Sequence, residues 1–400
     1  MTNMKIGIVG AGASGLMLAG LLKKKGFDVY VFDKNEKCGK KLYITGKGRC
    51  NLTNYCSPDE FLKNVVRGEK FLRSAIYNFP PSECVKFFND LGLETKVERG
   101  NRVFPKSDKS SDVIKTLFKF CEGVKFKFCE DVKSITFNGD FCLRTKVKEY
   151  HFDKVVIATG GASYSSTGSD GSGYKLAKSF GHSVEEIRPA LCPIKLKDDV
   201  SSLQGVSLKN VAINADADKR KIHLFGEMMF TDIGITGPIV LSLSSLINRA
   251  LNVQISLDLK PALDEKTLDA RLLRDFDENK NKNFLFILKG LMPQALCKFF
   301  AKKCEVSVDK KVHDITKEER LKVVKTLKNL PLSFNGLYPL ETGIVTSGGV
   351  KTAEINPKTF ESKLQNGLYF VGEVLDLDAL TGGFNLQIAF ATSYMCALNM

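Results

Sequence analysis

The 400-residue sequence predicts an α/β protein in which both ends of the chain build one Rossmann-type nucleotide-binding domain around an inserted second domain. Three apolar runs favour this fold. One precedes a glycine-rich turn at the N-terminus, one ends in small residues near position 157, and one lies close to the C-terminus before a further glycine turn. Strands of this kind are expected to meet in one parallel sheet, whose ligand crevice lies at their carboxyl ends.

The first of these runs belongs to a strand–turn–helix–strand unit. Lys5 to Val9 is predicted to form a buried strand that leads into the turn Gly10-Ala-Gly-Ala-Ser-Gly15. The apolar residues after Gly15 predict a helix, with Lys23 to Lys25 at its C-terminal end. Asp28 to Phe32 is predicted to form the second strand, and Asp33 stands at its end.

This spacing is typical of a dinucleotide-binding unit. Gly10 permits the tight turn, Gly12 lets the backbone approach a pyrophosphate, and Gly15 lets the helix pack closely on the strand. The carboxylate of Asp33 can accept hydrogen bonds from a ribose diol. An ordinary tight turn is the alternative, and it leaves Asp33 without a role. The fingerprint by itself does not separate NAD from FAD.

Two later segments favour FAD. Asp153 to Ile157 leads into Ala158-Thr-Gly-Gly161, and Gly367 to Asp376 is a strand ending in glycine and acids. Thr381-Gly-Gly-Phe-Asn-Leu-Gln387 then opens an apolar helix that is predicted to run to about Leu398. In flavoproteins with this arrangement, Asp376 would contact the ribityl or phosphate region. The helix start after Gly383 would face the flavin pyrimidine.

Composition narrows the function classes. The charge is +14, but the 59 Lys and Arg residues are scattered, without the long run typical of a nucleic-acid tail. Eleven Cys without a Cys-x-x-Cys pair, and four distant His, predict no metal site. The uncharged run from Ile6 to Leu22 has the wrong flanks for a secretory signal. We therefore expect a cytoplasmic protein that does not associate with membranes.

Further motifs resemble those of one family. The block Lys40 to Asn54, which contains Thr45-Gly-Lys-Gly-Arg-Cys-Asn51, is similar to a block of the bacterial BaiN/YhiN-type flavoproteins. These are FAD-dependent oxidoreductases, also described as NAD(P)/FAD-dependent or aminoacetone-oxidase-like. Other matching blocks are Gly100–Ser107, Gly226–Thr231, Thr346–Val350, Gly372–Asp376 and Thr381–Gln387. The departures are Lys47 before the third glycine of the first block, Asp232 where His is common, and Asp33 where Glu is usual.

The resemblance implies a glutathione-reductase-like FAD-binding domain and a set of cofactor contacts. The implied contacts are Gly10, Gly12, Ala13, Ser14, Gly15, Asp33, Lys34, Lys40, Lys41, Gly46, Arg49, Cys50, Asn51, Val132, Thr159, Gly160, Gly161, Gly372, Glu373, Asp376, Gly383, Asn385 and Leu386. Arg49, Cys50 and Asn51 are also the candidate catalytic residues, and Tyr164 and Phe384 are further side chains that could face the flavin.

The middle of the chain predicts the insert. Breaks at Arg188–Pro193 and Asn335–Pro339 bracket it, so residues 1–190 and 337–400 form the FAD-binding domain and residues 191–336 the insert domain. Short alternating segments predict a small β barrel over about 191–260. Helix periodicity predicts a helical part over about 261–336. The stretch Thr167 to Ala177 is similar to a helix start in fumarate-reductase-like flavoproteins, or is a capped helix after a flexible loop.

The predicted reaction is hydride transfer between flavin and a small organic substrate. No second complete GxGxxG unit occurs, so NAD(P)H as electron donor would dock transiently at the flavin. The bile-acid member of the resembling family implies NAD(P)H-dependent reduction of a conjugated C=C bond. The alternatives are an amine oxidase that uses oxygen, a redox sensor, and a flavoprotein that modifies tRNA or another nucleic acid. The last would need the basic residues Lys302, Lys303, Lys310, Lys311, Lys322, Lys325 and Lys328 to cluster on one face.

Overall fold

The computed structural model describes residues 4–400, which divide into two compact units. The flanking unit contains the described residues up to Ala190 together with Pro339–Met400, and the insert unit is Leu191–Tyr338. Helices and strands are numbered in chain order.

The strands of the flanking unit are short, and most have two to five residues. They are β1 Lys5–Val9, β2 Asp28–Asp33, β3 Thr53–Asn54, β4 Val65–Arg67, β5 Thr95–Glu98, β6 Arg102–Pro105, β7 Lys125–Phe128, β8 Ser134–Phe137, β9 Phe141–Arg144, β10 Glu149–Phe152, β11 Lys154–Ile157, β12 Arg188–Ala190, β20 Val345–Ser347, β21 Leu368–Phe370 and β22 Asp378–Ala379. Its helices are α1 Ala13–Lys24, α2 Lys40–Ile44, α3 Pro58–Lys63, α4 Glu69–Asn78, α5 Pro81–Asp90, α6 Ser110–Phe120, α7 Ser172–Lys178 and α13 Phe384–Leu398.

The insert unit contains two strands of 11 residues and five α-helices. Its strands are β13 Ile194–Leu196, β14 Ser207–Ala217, β15 Arg220–Phe230, β16 Gly234–Thr236, β17 Val253–Asp258, β18 Leu330–Leu332 and β19 Phe334–Leu337. Its helices are α8 Pro238–Ile247, α9 Glu265–Glu278, α10 Phe284–Leu291, α11 Gln294–Cys304 and α12 Lys317–Lys328.

A five-stranded parallel sheet organises the flanking unit. Its order is β21-β11-β1-β2-β7, and each neighbouring pair is parallel. Strand β1 lies in the centre, where Ile6 and Ile8 are fully buried. Because all five strands run the same way, their carboxyl ends share one edge, as the sequence predicted for a Rossmann-type fold. The predicted fold class is confirmed.

Four smaller antiparallel sheets surround this sheet. Their orders are β3-β6-β5, β8-β9-β10, β4-β22 and β12-β20. The sequence predicted none of them, because strands of two to four residues are too short to show a periodic pattern.

The two helices that follow glycine turns pack together in the core. Along α13, the residues from Gln387 to Ser393 are all buried, and Ser393 donates a hydrogen bond to the Ser14 carbonyl of α1 over 2.9 Å. Helix α4 packs against α13 from another side through Leu72, Ala75 and Ile76. Helices from the two ends of the chain are thereby fixed side by side.

The insert unit contains a seven-stranded sheet that curls round on itself. Its order is β18-β17-β14-β15-β16-β13-β19, and the two outermost strands are separated in the chain only by Ser333. Strand β18 pairs with β17, and strand β19 pairs with β13. Because β18 and β19 follow each other in the chain, they connect the two ends of the sheet into a barrel-like form. The helical part predicted over about 261–336 was too long. Helix α12 ends at Lys328, and the chain then forms strands β18 and β19 of the sheet, with Leu330 and Leu332 buried.

Within residues 4–400, no single helix is long and apolar enough to cross a membrane. One pair, α10 with α11, passes a test of length and composition together, although its two members meet at a bend of 118°.

Candidate cofactor site

The glycines of the N-terminal turn lie where side chains would collide. Gly10 has φ +111°, and a Cβ on it would overlap the Ala158 carbonyl at the end of β11. A Cβ on Gly15 would overlap the carbonyl oxygen of Gly10 itself. The turn therefore holds α1 tightly against the carboxyl ends of β1 and β11.

Gly12 differs from both, because it faces open space. A Cβ built on Gly12 meets no heavy atom within 4 Å. Gly12 is the N-cap of α1, but no side chain accepts a hydrogen bond there, and the first turn contains no acidic residue. The free amides and the positive end of the helix dipole are thus turned toward an empty volume. This arrangement fits the diphosphate of a dinucleotide cofactor.

Asp33 ties the end of β2 to this turn. Its Oδ2 accepts a hydrogen bond from the Ala11 amide over 2.8 Å, and its Oδ1 accepts bonds from the Asn35 amide over 2.8 Å and from Asn35 Nδ2 over 2.9 Å. A carboxylate has about four lone-pair sites, so these bonds leave capacity for a ribose hydroxyl. The ribose role of Asp33 stays a prediction.

Three further residues predicted to contact the cofactor, Lys34, Lys40 and Val132, lie on segments that follow β2 in the chain or are hydrogen-bonded to its end. The Cys129 amide donates to the Asn35 carbonyl and the Glu130 amide to the Asp33 carbonyl, each over 3.0 Å, which brings the segment containing buried Val132 beside the end of β2. Lys34 is engaged by Asp170 at 2.7 Å, and Lys40 by Glu36 at 3.1 Å.

A polar network joins the ends of β11, β20 and β21. Lys41 Nζ donates to Ser163 Oγ over 2.8 Å and to Glu373 Oε2 over 2.8 Å, while Glu373 Oε1 accepts from the Thr346 amide over 2.8 Å. Thr346 Oγ1 in turn accepts from the Ala162 amide over 2.8 Å. A Cβ on Gly161 would overlap Thr346. Lys41 and Glu373 were predicted as cofactor contacts, and that role stays a prediction. The sequence did not single out Ser163, and Thr346 entered only as part of the block Thr346–Val350.

Asp376 has a protein partner that the sequence did not reveal. Arg67 on β4 forms a two-pronged ion pair with it, with Nε 2.6 Å from Oδ1 and Nη2 2.5 Å from Oδ2. The carboxylate is 10% exposed. A contact between Asp376 and the ribityl or phosphate region, as predicted, would have to be made beside this pair. No local pattern could have identified Arg67, which lies 309 residues away.

The start of α13 is a second helix terminus without a side-chain cap. Its N-cap, Gly383, has φ +100°, and the first turn contains no acid. A Cβ on Gly383 would overlap Thr53 and approach Asn51 Oδ1 to 2.8 Å. Within residues 4–400, no hydrogen-bond donor reaches the buried Asn51 Oδ1 or Thr53 Oγ1.

Buried acceptors of this kind normally have a donor, so an N–H or O–H group of a bound cofactor would satisfy them. The cradle at α1 and the unpaired acceptors at α13 together fit a cofactor with a diphosphate and a hydrogen-bonding ring.

Arg49 does not lie free in the crevice. Its Nη2 is 2.5 Å from Glu98 Oε1, its Nε donates to Asp108 Oδ1 over 2.8 Å, and its guanidinium lies 4.2 Å from the Phe104 ring centre. Lys96 and Arg49 together hold the pKa of Asp108 below its ordinary value. The cluster therefore balances its own charges. A direct catalytic role for Arg49 stays a prediction that would require it to leave these partners.

The two residues after Arg49 differ in chemical character. Cys50 is fully buried, and burial raises the pKa of its thiol to about 12, so it stays protonated at neutral pH. Thiolate chemistry at Cys50 is therefore disfavoured. Asn51 Oδ1 has no hydrogen-bond partner among residues 4–400, and a ligand-binding role for this residue stays a prediction.

The other side chains predicted to face the flavin have structural contacts. Phe384 is 5% exposed and packs edge-on against Phe61 at 5.2 Å. Asn385 accepts from the Ala379 amide over 3.0 Å and donates to its carbonyl over 2.8 Å. Tyr164 is half-buried, and its carbonyl accepts from the Thr167 amide over 2.8 Å. Any cofactor contact by Asn385 and the half-buried Leu386 would then use the backbone amides of the helix start.

One group of potential metal ligands was not anticipated. Cys142, Glu149 and His151 lie on the hairpin β9–β10 with ligand atoms within 4.8 Å of one another. Arg144 already contacts Glu149 Oε1 at 2.5 Å, and His151 Nδ1 is 2.9 Å from Asp140. The residue types of this group differ from those of the crevice, which is built from helix termini and small residues.

Residues 4–399 match a family model described as the HI0933-like protein Rossmann domain. The chain belongs to the HI0933-like family. The resemblance to BaiN/YhiN-type flavoproteins is thereby confirmed, and the chain is a member of a family of flavoprotein oxidoreductases with a Rossmann-type FAD-binding domain.

Two relatives of this HI0933-like protein are similar over nearly their whole length. A 3-dehydro-bile acid delta(4,6)-reductase of Clostridium scindens is 30% identical over 403 residues, covering 98% of this chain and 97% of the relative. A ribosomal RNA dihydrouridine synthase of Haemophilus influenzae is 30% identical over 405 residues, with the same coverage of 98% and 97%.

A solved structure supports the fold. The 3-ketosteroid-delta4-(5alpha)-dehydrogenase from Rhodococcus jostii RHA1 is similar with a TM-score of 0.51 over 99% of this chain and 96% of that one. Its sequence identity of 13% limits this likeness to the fold.

Proposed function

We propose that this HI0933-like protein is an FAD-dependent reductase of a C=C bond conjugated with a carbonyl group, with NAD(P)H as the electron donor. The proposal rests on the kinds of substrate that the names of the two relatives describe. A 3-dehydro bile acid with delta(4,6) unsaturation and a uracil ring both contain an alkene conjugated with a carbonyl. Relatives of equal identity thus act on different molecules through the same type of bond.

The residues of the crevice would bind and orient the cofactor. The free amides of α1 beside Gly12 would hold the diphosphate, and those of α13 after Gly383 would stabilise negative charge at the ring. Asn51 Oδ1 would accept a hydrogen bond from the bound ring system. Bound FAD supplies the two-electron chemistry.

The network of Lys41, Glu373 and Thr346 would keep the surrounding strand ends in register. It links β20 to the loop after β11 and to the turn after β21. Lys41 also brings a positive charge to the crevice, balanced by Glu373. These residues are therefore proposed to position the site rather than to react.

The proposed mode of NAD(P)H binding rests on the number of nucleotide-binding motifs in the sequence. A single GxGxxG unit with its acid occurs in the sequence, and it is the one proposed to hold FAD. NAD(P)H would then enter the same crevice and leave before the acceptor binds. This order predicts that donor and acceptor compete for one site.

A second candidate substrate is a uracil ring within RNA. Its support is the net charge of +14, which attracts polyphosphates, together with the rRNA-modifying relative. The excess positive charge is spread over both units, since the insert unit has 24 Lys and Arg against 18 Asp and Glu. The two candidate functions share one type of reaction and differ only in the substrate.

Anaerobic stopped-flow kinetics test the proposal. The FAD-loaded protein, reduced with NADH or NADPH, is mixed separately with a steroid dienone, a uridine-containing RNA, or oxygen. We expect saturable reduction by one nicotinamide, and reoxidation by a conjugated alkene that is faster than by oxygen. Fast reoxidation by oxygen alone, together with reduction by an amine, would replace the proposal with an amine oxidase.

A further inference from the structure

A groove lies on the outer face of α4, away from the candidate cofactor site. Its volume is about 530 Å³, and we call it the α4 groove. The residues that line it are Lys70, Phe71, Arg73, Ser74, Tyr77, Pro357 and Lys358. Three of these seven side chains are cationic and none is acidic.

Helix periodicity explains why these side chains share one face. Lys70, Arg73 and Tyr77 are spaced three and four residues apart and project from the same side of α4. The opposite side packs against α13. The groove therefore lies on a face of α4 that does not pack against α13.

The walls of the groove are held in place before any ligand binds. Phe71 packs edge-on against Phe360 at 5.4 Å. Tyr77 is 46% exposed, its hydroxyl donates to Asp59 over 2.5 Å, and the guanidinium of Arg73 lies 5.7 Å from its ring centre. On the other wall, Asn399 donates to the Lys358 carbonyl over 3.0 Å.

The chemistry of the α4 groove suits single-stranded nucleic acid. The cations of the groove can follow a phosphate backbone, and the exposed Tyr77 ring can stack on an unpaired base. A membrane surface is favoured less, because Tyr77 is the one exposed large apolar side chain among the residues that line the groove.

The lysines of the insert helices differ from this groove. Lys303 is paired with Asp198 at 2.7 Å, Lys310 with Glu319 at 2.7 Å, and Lys328 with Asp258 at 2.7 Å. Lys322 is likewise paired with Glu305. These lysines, which the sequence suggested as a nucleic-acid face, are largely balanced by acids.

We propose that the α4 groove is a docking site for a single-stranded segment of an RNA substrate. The inference rests on the second candidate of the proposed function, in which a uracil ring in RNA is reduced. The groove would hold a part of the same strand that lies several nucleotides from the one that enters the crevice.

Fluorescence anisotropy of the FAD-loaded full chain with a labelled oligouridine of about 12 nucleotides tests this inference. The groove variant is the triple substitution Lys70→Gln, Arg73→Gln and Lys358→Gln. We expect its affinity to fall at least tenfold. Its salt slope, measured over roughly 50 to 200 mM salt, should become shallower by about 2, since each single-strand phosphate contact contributes about 0.7. Tyr77→Leu should weaken binding by about tenfold through lost stacking.

Helix α6 of the same unit offers a matched control. Lys115→Gln with Lys119→Gln removes two exposed cations four residues apart, and Phe118→Leu removes an aromatic ring that is 45% exposed. These control variants should bind the oligonucleotide like the unmodified protein. Flavin absorbance and the melting temperature report whether each variant is folded.

Reoxidation by a small dienone separates this inference from the proposed function. We expect the triple variant to keep its dienone rate while it loses RNA binding. If the groove and α6 variants lose RNA binding equally, or if anionic vesicles bind to the groove while RNA does not, the docking site is wrong. If the unmodified protein fails to bind RNA but still reduces the dienone, the docking site and the RNA candidate are both wrong, and the reaction type stands.

Discussion

Three helices of the insert unit and the two glycine-started helices at the crevice begin in opposite ways. Helices α9, α10 and α12 each begin with a side chain that accepts an amide hydrogen bond. Asp264 accepts from the Thr267 amide over 2.7 Å, Asn283 from the Phe286 amide over 3.1 Å, and Thr316 from the Glu319 amide over 3.2 Å. Helices α1 and α13 begin instead with Gly12 and Gly383.

A side-chain cap also occurs outside the insert unit, and an uncapped glycine start also occurs inside it, at Gly237 of α8. Helix α3 also lies in the flanking unit, yet Ser57 caps it by accepting from the Glu60 amide over 3.2 Å. A capping residue stabilises a helix start by accepting a hydrogen bond from one of its free amides. Glycine at the crevice leaves amides unpaired, and a bound anion can take the place of the cap. Three predictions test this difference.

The largest effect is expected from Gly12→Asp. Gly12 has φ −82° and ψ −165°, which an aspartate adopts readily, and its missing Cβ faces open space. The new carboxylate would cap α1 itself and repel a diphosphate by ~4 kcal/mol if the charges are ~4 Å apart. We expect the affinity for FAD to fall at least ~100-fold while the protein stays folded. Flavin fluorescence titration of the apoprotein measures this loss.

The matched control is Lys109→Asp. Lys109 is the N-cap of α6, is exposed, has extended backbone angles and forms no side-chain cap. The same new carboxylate there should stabilise its helix and leave the affinity for FAD unchanged. Equal FAD loss in both variants would mean that the start of α1 is not the diphosphate site.

A smaller effect is expected from Thr316→Ala in the insert unit. Thr316 and Glu319 form a reciprocal capping box at the start of α12. Loss of the hydroxyl should lower the free energy of unfolding by ~1 kcal/mol. Urea denaturation measures the change, and flavin titration should show no change in FAD affinity. A loss of FAD binding here would contradict the separation between capped helices and the cofactor site.

The smallest effect is expected from the titration of Glu319. Its hydrogen bond from Lys310 and the bond from the Thr316 amide lower its pKa below the ordinary value of 4.5. Because the folded-state pKa is the lower one, this stabilisation is present above about pH 4.5 and is lost as the pH falls through the folded-state pKa.

Glu319→Gln should therefore weaken the acid dependence of unfolding only below about pH 4.5. Urea midpoints of the unmodified and variant proteins, measured in parallel down to pH 3, provide the comparison. If the urea midpoints of the two proteins fall identically at acid pH, Glu319 contributes nothing to the acid dependence of unfolding.

Local sequence patterns were sufficient for the core of the fold. The order of apolar run, glycine turn and apolar helix predicted β1, α1 and β2, and the same kind of pattern predicted β11 and α13. The first three of these elements are encoded within the 29 residues from Lys5 to Asp33, because helix and strand periodicity and glycine turns depend on near neighbours. Short strands such as β3 and β22 have no such pattern and were missed.

Contacts within the site depended on the folded chain. The motif around Arg49 indicated a functional block, but not that Glu98 and Asp108 would engage the guanidinium. The same motif made Cys50 a candidate catalytic residue, but it could not show that this side chain is completely buried.

The sequence by itself determined the Rossmann-type fold, the family and the positions of the glycines that line the crevice. Only the tertiary structure decided which charged groups are already paired. Lys41 meets Glu373 across 332 positions, and Arg67 meets Asp376 across 309. A glycine turn is specified by steric limits on a few adjacent residues, whereas an ion pair of this kind exists only after both ends of the chain have joined one sheet.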